Sequence, residues 1–389
     1  MNDDVSPTQP CPCGSGRKYL RCCMRKPGGV DKKPTKKRRK RRRKKPEKPD
    51  LEPEDEQPDP APTVRDTTES PAADAPAAPA LPSGYAMCRI AQKAPDDPRI
   101  PLDPETRRGL EELPYTIDEL AEWETEELVE ALDDLGLNVD RESFREQAAG
   151  RQSAWDLGDE WCERLEYNGQ PKPDRWEDLV CLGACELWKR WVPEHPSAEM
   201  LDDWIHEGYQ AKKSGDRTEA VEWWMRVWDT LTDRMTEDVT TRREAEKYVS
   251  GYQSVFNWVQ DARLLFLNVS LDSDDAAETG VDFLREVLDE FPDEKPRFRR
   301  GVEADLAEVS ISAGRREEGL AIHERHVDEH PDDAGRYARY ASALNRGPDA
   351  DPEAALDVLN DALDRDLEGA ADFDLRARRD HLRNQLDTD

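Results

Sequence analysis

The sequence predicts an all-α fold, a solenoid of stacked helical pairs behind an N-terminal segment too polar to pack. Three observations predict it. From about residue 100 to the end, apolar residues recur at helical spacing and few strand-like runs interrupt them. Within that region, two helix-ending segments, Asp289-Glu-Phe-Pro292 and Asp328-Glu-His-Pro331, repeat 39 residues apart. Finally, only 36% of the 389 residues are apolar while 37% are charged, so part of the chain is expected to be disordered.

Charge divides the chain sharply. The net charge is −31, yet residues 1–48 hold 18 Lys and Arg against 4 Asp and Glu, a balance of +14, which leaves −45 on the rest. A cationic head on an anionic body implies two different partners, because the head attracts phosphate and the body repels it. The first residues carry acids rather than an apolar run, and eighteen successive apolar residues occur nowhere, so neither a secretory signal nor a membrane span is expected. The expected location is the cytoplasm.

Residues 1–30 hold Cys11, Cys13, Cys22 and Cys23, two ligand pairs within thirteen residues. That spacing suits a tetrahedral thiolate site for one structural Zn²⁺ ion. Gly14 and Gly16 allow a tight turn after the first pair, with amide N–H groups aimed at the sulfurs. Arg17, Lys18 and Arg21 are placed to offset the negative charge of four thiolates around zinc, and Tyr19 is the one large aromatic available to cover the ion. Disulfides compete poorly here: they require an oxidising compartment, and the adjacent Cys22 and Cys23 suit one badly.

The run Cys-Pro-Cys-Gly-Ser-Gly-Arg-Lys-Tyr-Leu-Arg-Cys-Cys, residues 11–23, resembles the SEC-C motif, named from the C-terminal tail of the SecA translocation motor. The resemblance covers about residues 9–25. It implies zinc held by three cysteines and a fourth Cys or His, which maps to Cys23. It also implies a docking role toward a chaperone or the ribosome, and no translocase activity.

Residues 31–48 form a basic arm. Its centre is ten consecutive cations, Lys36, Lys37, Arg38, Arg39, Lys40, Arg41, Arg42, Arg43, Lys44 and Lys45. Without interleaved aromatics such a run cannot read bases, but it can bind the phosphates of ribosomal or other RNA, with affinity that falls as salt rises. It can equally be a solubilising tail, a nuclear-import address or a strap folding back on the acidic body. Residues 49–99 are assigned to a disordered Pro, Ala and acid-rich linker, since ten prolines lie between Pro46 and Pro82 with no apolar periodicity.

Residues 100–197 are expected to form a helical cap, marked by the stripe Leu128, Leu132 and Leu135 and by N-cap candidates Ser153 and Ser197. Residues 198–389 are assigned to the repeat domain. Here Trp204, Gly208, Gly215, Ala220 and Trp224 fall at positions that resemble the tetratricopeptide repeat, a stacked helix-turn-helix unit. Later units end near Pro292 and Pro331, and a degenerate one runs through Ala338 to Leu363. The 39-residue spacing exceeds the usual period, so lengthened helices or extra turns are expected. The resemblance implies a surface that grips a protein ligand. From the net charge of the body, that surface is expected to be acidic and to favour basic or extended peptides. Nine of the eleven tryptophans lie between Trp155 and Trp228. Trp224 and Trp228 have the i, i+4 spacing of a buried face, so core filling is the first expectation for them and groove lining the alternative.

His323, His326 and His330 could share a helix face, which makes a second metal site conceivable. The simpler expectation is that His323 packs and the other two lie on a polar surface. Cys181 and Cys185 are expected to be buried, and Cys88 and Cys162 have no partner nearby in sequence. No phosphate-binding loop or nucleophile elbow occurs. The expectation is a non-enzymatic adaptor, with a nucleic-acid-binding regulator whose repeats self-associate as the alternative.

Overall fold

The computed structural model describes residues 84–96, 102–166 and 173–387. Among them there are seventeen α-helices, two short 3₁₀ turns and no strand. The cysteine cluster, the basic arm and the linker up to residue 83 lie outside the described residues.

The linker assignment to residue 99 needs correction at its end. Helix α1 spans Gly84–Lys93 and buries Tyr85, Ala86 and Arg89. Tyr85 and Arg89, four apart, stand on one helix face, and a carboxylate in the body answers both. Four short helices follow: α2 (Pro104–Glu111), α3 (Ile117–Glu122), α4 (Thr125–Asp134) and α5 (Arg141–Ala148). The Leu128 and Leu132 stripe of α4 is fully buried, and Gly136 ends that helix region at φ +98°.

From there the helices pack in series as hairpins. Helices α6 (Ala154–Glu166) and α7 (Trp176–Trp191) form the first, and α8 (Ala198–Ser214) and α9 (Arg217–Arg234) the second. Ser153 and Ser197 cap α6 and α8 as expected, their hydroxyls accepting the N–H groups of Asp156 and Met200. Gly215, at φ +90°, and Asp216 make the two-residue turn that folds α9 back on α8.

A segment the repeat pattern did not foresee comes next, containing α10 (Arg242–Ala245) and a 3₁₀ turn. Three further pairs follow: α11 (Val255–Val269) with α12 (Asp274–Glu290), α13 (Pro296–Ser312) with α14 (Arg316–Glu329), and α15 (Ala334–Leu344) with α16 (Pro352–Asp364). Helix α17 (Leu375–Leu386) packs on α16. The 39 residues from Pro292 to Pro331 are taken up by the 17-residue α13, the 14-residue α14 and the turns beside them.

One hydrophobic core runs from Tyr85 through Val309, and a second gathers around α15, α16 and α17. The boundary drawn between residues 197 and 198 therefore marks no break in packing. Buried Glu199 of α8 accepts the Ala154 N–H at 2.9 Å and the Ser153 hydroxyl at 2.8 Å, tying the two hairpins together. Tryptophans fill this core: Trp161, Trp188, Trp224, Trp228 and Trp258 are all fully buried. Trp228 donates its indole N–H to Glu286 at 2.8 Å, whereas the buried Trp258 N–H finds no acceptor among the described residues.

Candidate functional site

Two features of the body stand out chemically. The first is a polar cluster where α1 meets α7 and α8. Asp203 accepts the Tyr85 hydroxyl at 2.6 Å, pairs with Lys189 at 2.9 Å and is also paired with Arg89. Burial would raise the Asp203 carboxyl, but Lys189 and Arg89 outweigh it and hold the group below its ordinary value. Next to it, Asp202 is pushed up to about 7 by burial, although Ser250, Tyr252 and Gln253 donate hydrogen bonds to it. On the same helix, His206 is pushed down to about 4 by burial and by the nearby cations Lys93 and Arg89. Perturbed groups of this kind often mark active sites. Here the charges answer one another across the α1–α8 junction, and the arrangement works as a clasp holding α1 on the body.

The second feature is a groove of about 460 Å³ across the first helices of three successive pairs, α11, α13 and α15. Helix α11 makes it possible because it is apolar on two sides. Val255, Trp258, Val259, Ala262, Leu265, Phe266 and Val269 face the core, while Phe256 and Leu264 remain 49% exposed each and Leu271, just past the helix end, 68%. Leu264, Leu267 and Leu271 line one wall. The polar lining comprises Arg263, Arg339 and Arg346 against Asp305 and Glu308.

Both carboxylates are engaged. Asp305 accepts two guanidinium N–H groups of Arg263, one at 2.9 Å and one at 2.5 Å, and the pair is largely buried. Burial still raises the Asp305 carboxyl despite Arg263. Glu308 pairs with Arg346 at 2.6 Å and lies 3.3 Å from His323. Burial works to raise Glu308, but His323 and Arg346 overcome it and lower the group. Arg339 is exposed and has no ion-pair partner among the described residues. The lining of this groove is not acidic: it is apolar, with three arginines against two carboxylates. Net charge is an average over the whole surface, and here the acids are turned inward onto arginines.

The zinc-ligand candidates Cys11, Cys13, Cys22 and Cys23 and the basic run Lys36–Lys45 lie outside the described residues. His323 and His326 do share a face of α14, but each meets a different carboxylate of α13. His326 lies 2.7 Å from Glu303 and is buried, not on a polar surface as expected. Burial lowers its pKa even though Glu303 acts to raise it. His330 falls beyond the helix end. Among the described residues no group of three or more His, Cys, Asp or Glu is arranged to hold a metal. Cys181 and Cys185 are buried as expected, and Cys162, which had no partner in sequence, lies with its sulfur 3.8 Å from that of Cys181 across the α6–α7 interface. Sequence reasoning missed the groove. Its one signal was the second apolar stripe of α11.

Residues 8–25 match the SEC-C motif. No curated protein matches the chain. Among the described residues no helix is long and apolar enough to cross a membrane.

Proposed function

We propose that this chain is a non-enzymatic, zinc-binding adaptor of the cytoplasm. Its N-terminal knuckle would hold one structural Zn²⁺ ion through Cys11, Cys13, Cys22 and Cys23 and dock on a ribosome, chaperone or similar partner. The adjoining cations Lys36–Lys45 would add affinity for RNA phosphate, and the helical body would hold a protein ligand. One observation carries this reading: a SEC-C motif at residues 8–25 is joined to helices packed in series with an open groove on their first members. Packing supports a tetratricopeptide-like reading of the body. Gly208 of α8 faces the indole of Trp224 on α9, and Gly319 of α14 lies against the Ala307 carbonyl of α13, small residues where paired helices cross. Two weak sites on one tether reinforce each other through effective concentration.

The test is zinc content and ribosome co-sedimentation of the full chain. Wild type should carry one zinc per chain. Cys22→Ser/Cys23→Ser should carry none, sediment less with ribosomes and keep the far-UV circular dichroism of the helical body. Zinc-free wild type purified under reducing conditions would overturn the reading. The ten-cation run favours a second reading, a nucleic-acid-binding regulator whose body self-associates. In that case the double cysteine variant would sediment like wild type, while deletion of residues 36–45 would abolish RNA binding.

A further inference from the structure

We infer that the α11–α13–α15 groove takes an extended peptide segment in which a leucine-sized apolar side chain sits beside carboxylates. This rests on the adaptor reading and names the chemistry of its ligand.

The apolar part follows from Leu264 and Leu271, which are 49% and 68% exposed on the groove wall and have no core to enter. The charge follows from how the polar lining is already used. Asp305 and Glu308 are 8% and 21% exposed, and both are bound to arginines. What faces an incoming chain is Arg339, which is exposed and makes no ion pair although its charge reaches Asp305, and the outer side of Arg346, which is 41% exposed. A carboxylate arriving beside a leucine side chain would complete a charge-assisted hydrogen bond at Arg339. A basic side chain would meet Arg339 directly and would have to strip an arginine from Asp305 or Glu308. An extended conformation fits because the groove crosses three helices. At about 8–10 Å per helix spacing that is on the order of 20 Å, or about six residues of extended chain. A volume of about 460 Å³ holds a few side chains, whereas a second copy of the chain would need an interface above about 1,000 Å² to stay bound.

The probes are a fluorescein-labelled hexapeptide, Asp-Leu-Glu-Asp-Leu-Glu, and its charge-reversed counterpart, Lys-Leu-Arg-Lys-Leu-Arg. Each is titrated with the full chain and followed by fluorescence anisotropy. Arg339→Glu and Leu264→Asp lie on the exposed wall and leave the basic arm unchanged, so the arm's own attraction for the acidic peptide cancels between wild type and variants. We expect each substitution to weaken the acidic peptide by about tenfold or more, and Arg339→Lys to retain most of the binding. If the substitutions alter binding of the basic peptide and not of the acidic one, the groove is a ligand site and the assigned chemistry is wrong. If neither peptide responds to either substitution, the groove holds no peptide and the ligand-binding half of the adaptor reading falls with it. A shift from dimer to monomer in sedimentation velocity on Leu264→Asp, without a change in peptide binding, assigns the surface to self-association and overturns the proposal.

Discussion

Gly208→Ala tests the packing of the α8–α9 hairpin with a single methyl group. A Cβ built on Gly208 falls 2.1 Å from Nε1 and 2.3 Å from Cδ1 of Trp224, far inside the normal contact distance. The indole has no easy retreat. Trp224 is 1% exposed, its N–H donates to the Ile205 carbonyl at 3.1 Å, and its ring meets Tyr209 edge-on at 5.1 Å. Overpacking of this kind costs about 2 kcal/mol. Displacing the ring also strands the Ile205 carbonyl and the indole N–H, roughly another 2 kcal/mol. Alanine returns about 1 kcal/mol through its higher helix propensity. The net is a destabilisation of about 3 kcal/mol, to be read from urea unfolding followed by far-UV circular dichroism and tryptophan fluorescence. Pairing the change with Trp224→Phe makes the test specific: the smaller ring relieves the clash, so the double variant should be more stable than the sum of the single changes implies by about 1 kcal/mol or more. A neutral or stabilising Gly208→Ala, or strict additivity with Trp224→Phe, would refute the close approach of these two helices.

Two further predictions follow from the same reasoning. Arg242 is 1% exposed, lies between the rings of Phe256 and Phe298 at 4.0 and 3.3 Å from their centroids, and pairs with Glu294 at 2.8 Å. Arg242→Ala should therefore cost about 3 kcal/mol in denaturant unfolding, because it empties the slot between the two rings and leaves the part-buried Glu294 with only backbone N–H donors, while Arg242→Met with Glu294→Gln should recover most of that loss. Asp202, raised from 3.8 to about 7, holds its proton in the folded state at pH values where the unfolded chain has released it. Its contribution is thus fully present below pH 3.8 and lost as pH rises through about 7. Asp202→Asn should gain stability relative to wild type across that window, by about 4 kcal/mol, and plateau above it. A difference between Asp202→Asn and wild type that does not vary with pH would show that folding leaves the Asp202 pKa unchanged.

Much of the hairpin architecture was legible because its signals are local. Ser197 and Gly215 each act within a turn of their own position, Trp224 reaches only across its own hairpin to α8, and each does in the structure what its spacing implied. Three features were not legible, for different reasons. Helix α1 buries only Tyr85, Ala86 and Arg89, which form no apolar stripe to read, and it is held by Asp203, more than a hundred residues away. The α10 segment is entered through a capping box between Thr241 and Glu244, yet a four-residue helix has no apolar stripe to read. Arg242 is buried against the ordinary behaviour of arginine, and only the convergence of Phe256, Phe298 and Glu294 from separate elements explains it.

The groove shows why total charge is a poor guide to any one patch of surface. Residues 49–389 carry −45 in sum, yet a carboxylate contributes to recognition only if it is free to face a ligand. On α13, Glu303 reaches His326 and Arg325, Asp305 reaches Arg263, and Glu308 reaches Arg346 and His323, so the acids of that helix are used in joining it to α11, α14 and the end of α15. The cation without such a partner is Arg339 on α15. An acid-rich solenoid can in this way stitch its layers together with carboxylates and present arginine and leucine outward, which is the opposite of what its composition suggests. For the proposed peptide, the net charge of −45 on residues 49–389 would oppose longer polyanions and leave Arg339 as the local attraction.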